Sequence, residues 1–412
     1  MEVVMHYLLG LVLVLVLAPA AAAAAAPSPG SRLEIAHPGT GHSVHISAPA
    51  VTVRRDGQAI VAWMAQEGDR VNVYAARPGL AATRPVRVNP ESLSAESLHQ
   101  APGIAVGPGG EIYVSWSSAK PKGADVLFAS DLQLSRSLDG GASFARPLRV
   151  NEDRPISHSF EGLTVASDGT VLIAWIDSRE GDGRPRSYLG RVTDRGSRVE
   201  AALKLDGGET CVCCRIDLAA SNGLVAALWR KVFPSSVRDM VVGVSRDGGR
   251  SFAPPARVSV DGWKIAACPH RGGRVAFDGR GRLHLAWYTE GQDETPRVLY
   301  ASTPDGRDFA APFPIAGAAG AVPDYVRLAV NRRGTAVVVW EESTAVRRRI
   351  RLRASRDGGK TFDQALSLSA AIKAYMPDVV ATPAGEFAVA WHEERFPHTV
   401  TVVQVLRADA TP

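Results

Sequence analysis

Short apolar runs recur along the chain, each opened by a glycine and closed by a tryptophan six positions after that glycine. The seven pairs are Gly57/Trp63, Gly110/Trp116, Gly169/Trp175, Gly223/Trp229, Gly281/Trp287, Gly334/Trp340 and Gly385/Trp391. Successive tryptophans lie 51 to 59 residues apart, a period too long for helical solenoid units and suited to a radial array of sheets. Runs such as Ile112-Tyr113-Val114-Ser115 and Ala336-Val337-Val338-Val339 are apolar on both faces, as strands sandwiched between neighbouring sheets must be. Another short apolar strand precedes each run, and the intervening glycine supplies the positive φ of a tight hairpin. With a third strand and a short outer one, every unit has the four strands of a propeller blade.

The pattern predicts an all-β chain folded as a single β-propeller of seven blades, with six as the alternative. Outer strands are expected near Val86, Leu148, Leu203, Ala256, Phe313 and Ala365. The chain ends soon after Val400 to Leu406, which leaves the last blade without one. The segment Gly41 to Ser47 is expected to take that place and close the ring, removing the exposed sheet edges that invite aggregation.

Residues 1–26 combine an apolar run, Leu8 to Leu17, with an Ala-rich tract ending at Ala26. They read as a secretory signal peptide, although no Lys or Arg precedes the apolar run, so an uncleaved anchor is the alternative. Residues 27–412 then form one propeller domain, secreted or periplasmic, with no transmembrane segment beyond the signal. The formal net charge of +5 is mild, and export disfavours nucleic acid as a partner. The Arg-rich run Arg347 to Arg353 reads as a solvated strand face, with a polyanion site as the alternative.

A second repeat occupies the hairpins between third and outer strands. It reads Ser137-x-Asp139-x-Gly141-x-x-Phe144, Ser245-x-Asp247-x-Gly249-x-x-Phe252 and Ser355-x-Asp357-x-Gly359-x-x-Phe362, with a degraded copy near Ser302 to Phe309. These motifs resemble the Asp-box of the sialidase-like, or BNR-repeat, propellers. Serine and aspartate there satisfy the donors of a turn and the aromatic plugs the blade edge, so the box stabilises the fold and is not an active site.

The resemblance also implies a site: an arginine triad for a substrate carboxylate, a tyrosine nucleophile paired with glutamate, and an aspartate acid/base. Arg179, Arg230 and Arg271 are the candidate arginines, Tyr288 with Glu290 the nucleophile pair and Asp177 the acid/base. The aromatic-Arg-Ile-Pro motif that active sialidases carry ahead of the first Asp-box does not occur here, and Arg154-Pro155-Ile156 is out of place and out of order.

Distance from the blade tryptophan acts as a ruler for height on the propeller. His99, His158 and His270 each sit seventeen residues before theirs. Cys211, Cys213 and Cys214 sit eighteen, sixteen and fifteen before Trp229, and Cys268 nineteen before Trp287. All seven are expected on the face opposite the Asp-boxes, either with the cysteines in disulfides and the histidines as ordinary entry-loop residues, or as ligands to copper or zinc. If disulfides form, Cys268 is an expected partner, because a bridge between adjacent Cys213 and Cys214 is strained. Loops into the inner strands add Glu161, Arg215, Arg271, Asp324, Tyr325, Tyr375 and Asp378, making a polar funnel over the axis.

The leading expectation is a secreted binding protein whose Cys/His-bearing face takes a glycan or a metal ion. An exo-α-sialidase-like glycoside hydrolase is the alternative, and an extracellular scaffold for an extracytoplasmic protein partner comes third.

Overall fold

The computed structural model describes residues 30–37, 45–79, 84–120, 128–317, 320–395 and 398–407. The signal segment read at 1–26 lies outside them. Among the described residues the strands make seven antiparallel sheets set radially as the blades of a propeller. Innermost strands of blades 1 to 7 are Ala50–Val53, Gly103–Val106, Ser159–Val165, Asp217–Ser221, Gly273–Phe277, Val322–Val330 and Ala374–Ala381. No helix among the described residues is long and apolar enough to cross a membrane.

The glycine–tryptophan repeat does what its chemistry predicts. All seven repeat glycines take φ between +79° and +88° in the turn between the first two strands. All seven tryptophans are buried in the second strand. The apolar interior divides into seven principal clusters, one between each pair of adjacent blades, including one that joins blade 7 to blade 1 through Ala388, Val403, Val51 and Trp63. Each blade is thus buried on two faces by its neighbours, which explains strands that are apolar throughout.

Ring closure follows the expected principle with a different segment. The outer strand of blade 7 is Arg32–Ala36, paired antiparallel with His398–Leu406 so that Arg32 faces Gln404 and Ala36 faces Val400. Of the expected segment Gly41 to Ser47, residues 41–44 lie outside the described chain. Ile46 bridges Ala65 of blade 1 instead, and Ser47 Oγ accepts the Met64 N–H at 2.9 Å. The reason is pattern: Leu33 and Ile35 alternate with polar neighbours and pack into the blade 7–blade 1 core, as a half-buried edge strand should.

In the three Asp-box hairpins the bonding is the same. Ser245 Oγ accepts the Gly249 N–H at 2.8 Å and donates to Asp247 Oδ1 at 2.7 Å, while Asp247 Oδ1 also accepts the Arg250 and Ser251 N–H groups. Ser137/Asp139/Gly141 and Ser355/Asp357/Gly359 repeat this. Thr303 and Asp305 reproduce it in the degraded copy, one residue shorter. Phe144, Phe252 and Phe362 pack against the inter-blade cores, as expected of a plug.

Candidate functional site

Backbone register defines the floor of the axial funnel. In each blade one innermost-strand residue pairs with the residue just before the tryptophan, and around the ring these are Ala50, Gly103, Gly162, Asp217, Arg274, Arg327 and Asp378. Blades 1 to 3 contribute small residues and blades 4 to 7 contribute charges. Arg274 Nη1 donates to Asp217 Oδ1 at 2.8 Å, and Arg327 Nε lies 3.2 Å from Asp378 Oδ1. Each aspartate also accepts a backbone N–H, from Val275 and from Val51. Desolvation, with Arg274 and Arg215 nearby, pulls the Arg327 guanidinium down to about 9, so positive charge is in local excess at the floor.

Above the floor three blades carry the same irregularity. The register slips between Ser159 and Gly162, between Asp324 and Arg327, and between Tyr375 and Asp378. The residue two before the ring position takes a positive φ in each: Phe160 at +58°, Tyr325 at +45° and Met376 at +55°. Such bulges re-aim side chains beside functional sites. Phe160 and Tyr325 both line the funnel, a cavity of about 640 Å³ counted with its mouth, together with Arg215, Arg271, Arg274, Arg327, Tyr288, Asp324, Cys213, His99 and His270.

Of the residues expected to catalyse, the funnel brings together Tyr288 and Arg271. Tyr288 OH donates to Glu290 Oε1 at 2.6 Å, and burial together with that carboxylate pushes its phenol well above the ordinary value. The Arg271 guanidinium lies 5.5 Å from the Tyr288 ring centre and 5.9 Å from that of Tyr325, and donates to Asp324 Oδ2 at 2.6 Å. Burial raises the Asp324 carboxyl even beside that arginine. Arg215 donates through Nε to the Glu161 carbonyl at 2.6 Å and through Nη1 to the Ala101 carbonyl at 2.9 Å. No acceptor among the described residues engages its Nη2.

The remaining expected residues sit elsewhere. Asp177 is buried inside blade 3, where it accepts the Trp175 indole N–H at 2.8 Å and pairs with Arg179 at 2.7 Å. Arg179 lies over the Tyr188 ring, 4.0 Å from its centre. Neither lines the funnel that holds Tyr288 and Arg271. Arg230 is fully buried and spends its guanidinium on three carbonyls, those of Arg271 at 3.1 Å, Arg238 at 2.8 Å and Tyr288 at 2.6 Å. It holds Arg271 and Tyr288 from behind and does not line the funnel.

The Cys/His ensemble separates into four groups. His99 and His270, from blades 2 and 5, stack with ring centres 5.6 Å apart at the funnel mouth. His158 is buried in blade 3 with Nδ1 2.7 Å from the Ser130 carbonyl, and burial lowers its pKa. The sulfurs of Cys211, Cys213 and Cys214 lie within 4.8 Å of one another, with Cys211 Sγ 2.7 Å from Cys214 Sγ. Cys268 is exposed and outside this group, and all four are free thiols. Arg238 explains the separation, since its Nη1 contacts both Cys211 Sγ at 3.5 Å and the Ala267 carbonyl at 2.9 Å.

Arg274 and Arg327 were not among the sequence candidates. Their signal was present: an arginine within a short apolar run, Gly273–Phe277 and Val326 to Val330, thirteen residues before the blade tryptophan in both cases.

No protein-family model matches the chain, and no curated protein does. Solved structures do. A microbial sialidase named Hadza microbial sialidase Hz136 aligns with a TM-score of 0.50 at 15% identity, over 83% of this chain and 74% of that one. An ulvan lyase bound to GlcA(1-4)Rha3S gives 0.59 at 9% identity, over 90% and 95%. The Fusarium graminearum α-L-arabinofuranosidase Arb93A gives 0.50 at 13% identity, over 74% and 92%. At these identities the likeness is one of fold.

Proposed function

We propose that this protein is an extracytoplasmic propeller that binds an acidic saccharide in its axial funnel. The observation that carries the reading is the convergence of Arg215, Arg271, Arg274 and Arg327 with Tyr288 and Tyr325 in one cavity. Guanidinium forks match carboxylates, and tyrosine faces suit sugar rings with one polar edge. Support also comes from the company of the fold: a sialidase, and a lyase whose structure holds a glucuronate-containing saccharide.

Calorimetric titration with glucuronate-containing and sialic acid-containing oligosaccharides, against neutral ones of equal length, tests this. Saturable binding of an acidic ligand that is lost in Arg271→Ala and Tyr325→Ala is expected. Equal binding of neutral chains, or binding untouched by both variants, would overturn the reading.

One observation favours a second reading, glycoside hydrolysis: the Tyr288–Glu290 hydrogen bond inside the funnel, the form a tyrosine nucleophile and its base would take. Release of a fluorogenic aglycone from a sialoside, abolished in Tyr288→Phe while binding persists, would establish it.

A further inference from the structure

The thiol trio borders the arginine-lined funnel, which it reaches through Cys213. Cys211, Cys213 and Cys214 are each no more than 3% exposed. They occupy one tight turn, with the Cys214 N–H donating to the Cys211 carbonyl at 3.2 Å, against the apolar Phe160 and Val232. Three polarisable sulfurs gathered in a dry niche beside an open funnel make a poor core. Two arginines stand close: Arg238 donates to Cys211 Sγ, and the Arg230 carbonyl accepts the Cys211 N–H at 2.8 Å.

We propose that Cys211, Cys213 and Cys214 bind a single Cu(I) ion as a three-coordinate thiolate site. Three features choose the ion. Thiolate ligands select soft ions such as Cu(I) and zinc, but structural zinc is almost always four-coordinate, and among the described residues no fourth Cys, His, Asp or Glu joins the group. Three thiolates carry three negative charges, and Arg230, Arg238 and a monovalent ion together cancel them, whereas a divalent ion leaves an excess. Finally, an N–H donor to a ligating sulfur, as Arg238 supplies to Cys211, is the outer-shell contact that orients metal ligands.

Binding changes no oxidation state. Each sulfur that is still a thiol gives up its proton to solvent as the metal–sulfur bond forms, so uptake releases protons. With metal–sulfur bonds of about 2.3 Å, three sulfurs in a plane stand about 4 Å apart, so Cys211 and Cys214 must open from their 2.7 Å contact. Cys213 lines the funnel and gives the ion its route in. The inference is independent of whether that funnel takes a sugar.

The test uses the full chain, reduced and handled without oxygen, titrated with Cu(I) held by bicinchoninate. Withdrawal of one equivalent is expected, with proton release, a sulfur-to-copper ultraviolet band and X-ray absorption showing three sulfur neighbours at one distance. Cys213→Ser and Cys214→Ser should each lose that equivalent, and Cys268→Ser should keep it, with circular dichroism confirming that all three variants fold. Failure to withdraw copper with three titratable thiols present would overturn the proposal. So would withdrawal that survives both ligand variants, or zinc bound more tightly in a four-coordinate site. A Cys211–Cys214 disulfide whose reduction restores no copper uptake would overturn it as well.

Discussion

Burial raises the Glu96 carboxyl to about 7, and the neighbouring Glu161, itself fully buried and raised by desolvation, adds to the effect. Because the folded-state value exceeds the unfolded one, the protonated group stabilises the fold fully below the ordinary carboxylate range. That contribution fades as pH rises through about 7. Glu96→Gln is therefore expected to stabilise the protein at about pH 8 by on the order of 1–3 kcal/mol and to change little near about pH 4. Thermal unfolding of both proteins across that range checks it. Gly162 makes a different single-residue prediction: a Cβ there would meet the Ile216 carbonyl oxygen at 2.5 Å. Gly162→Ala should cost about 1–3 kcal/mol, read by chemical denaturation. At this scale the sequence led to two residues that line the funnel, Tyr288 and Arg271, and to two that lie buried within the blades, Asp177 and Arg230. Asp177, two positions after its tryptophan, accepts the indole N–H, as Glu393 does for Trp391, and from sequence such an acceptor looks identical to a catalytic carboxylate.

The hairpin and the bulge are the elements that matter most here. An Asp-box turn rests on its serine: Ser245 Oγ is buried and satisfies the Gly249 N–H while donating to Asp247. Ser245→Ala leaves that buried donor unpaired, and a loss of about 1–3 kcal/mol is expected, visible as a lower midpoint in denaturant. The bound turn donors also hold the Asp139, Asp247 and Asp357 carboxyls below the usual range. Depressed values mean stability present above the ordinary carboxylate range and lost as pH falls towards the folded values. The boxes were readable because three copies repeat in phase, and a turn's chemistry is local. The bulges were not. Spacing from the tryptophan sets height, but one inserted residue turns a side chain to the other face of its strand, and this is how His158 parts company with His99 and His270 in spite of identical spacing.

For the whole molecule, closure is the governing feature. Ile35 is buried where blade 7 meets blade 1, so Ile35→Ala should destabilise the entire ring by about 2–4 kcal/mol. The loss should appear in one cooperative transition, followed by tryptophan fluorescence. Blade number was legible because seven tryptophans are hard to miss, while the identity of the closing strand depended on a five-residue alternation too short to outweigh its neighbours. A chain delivered amino end first presents Arg32–Ala36 long before its partner His398–Leu406 exists. That strand must therefore wait for its partner, and a stall anywhere before residue 398 leaves two open edges ready to pair with another molecule.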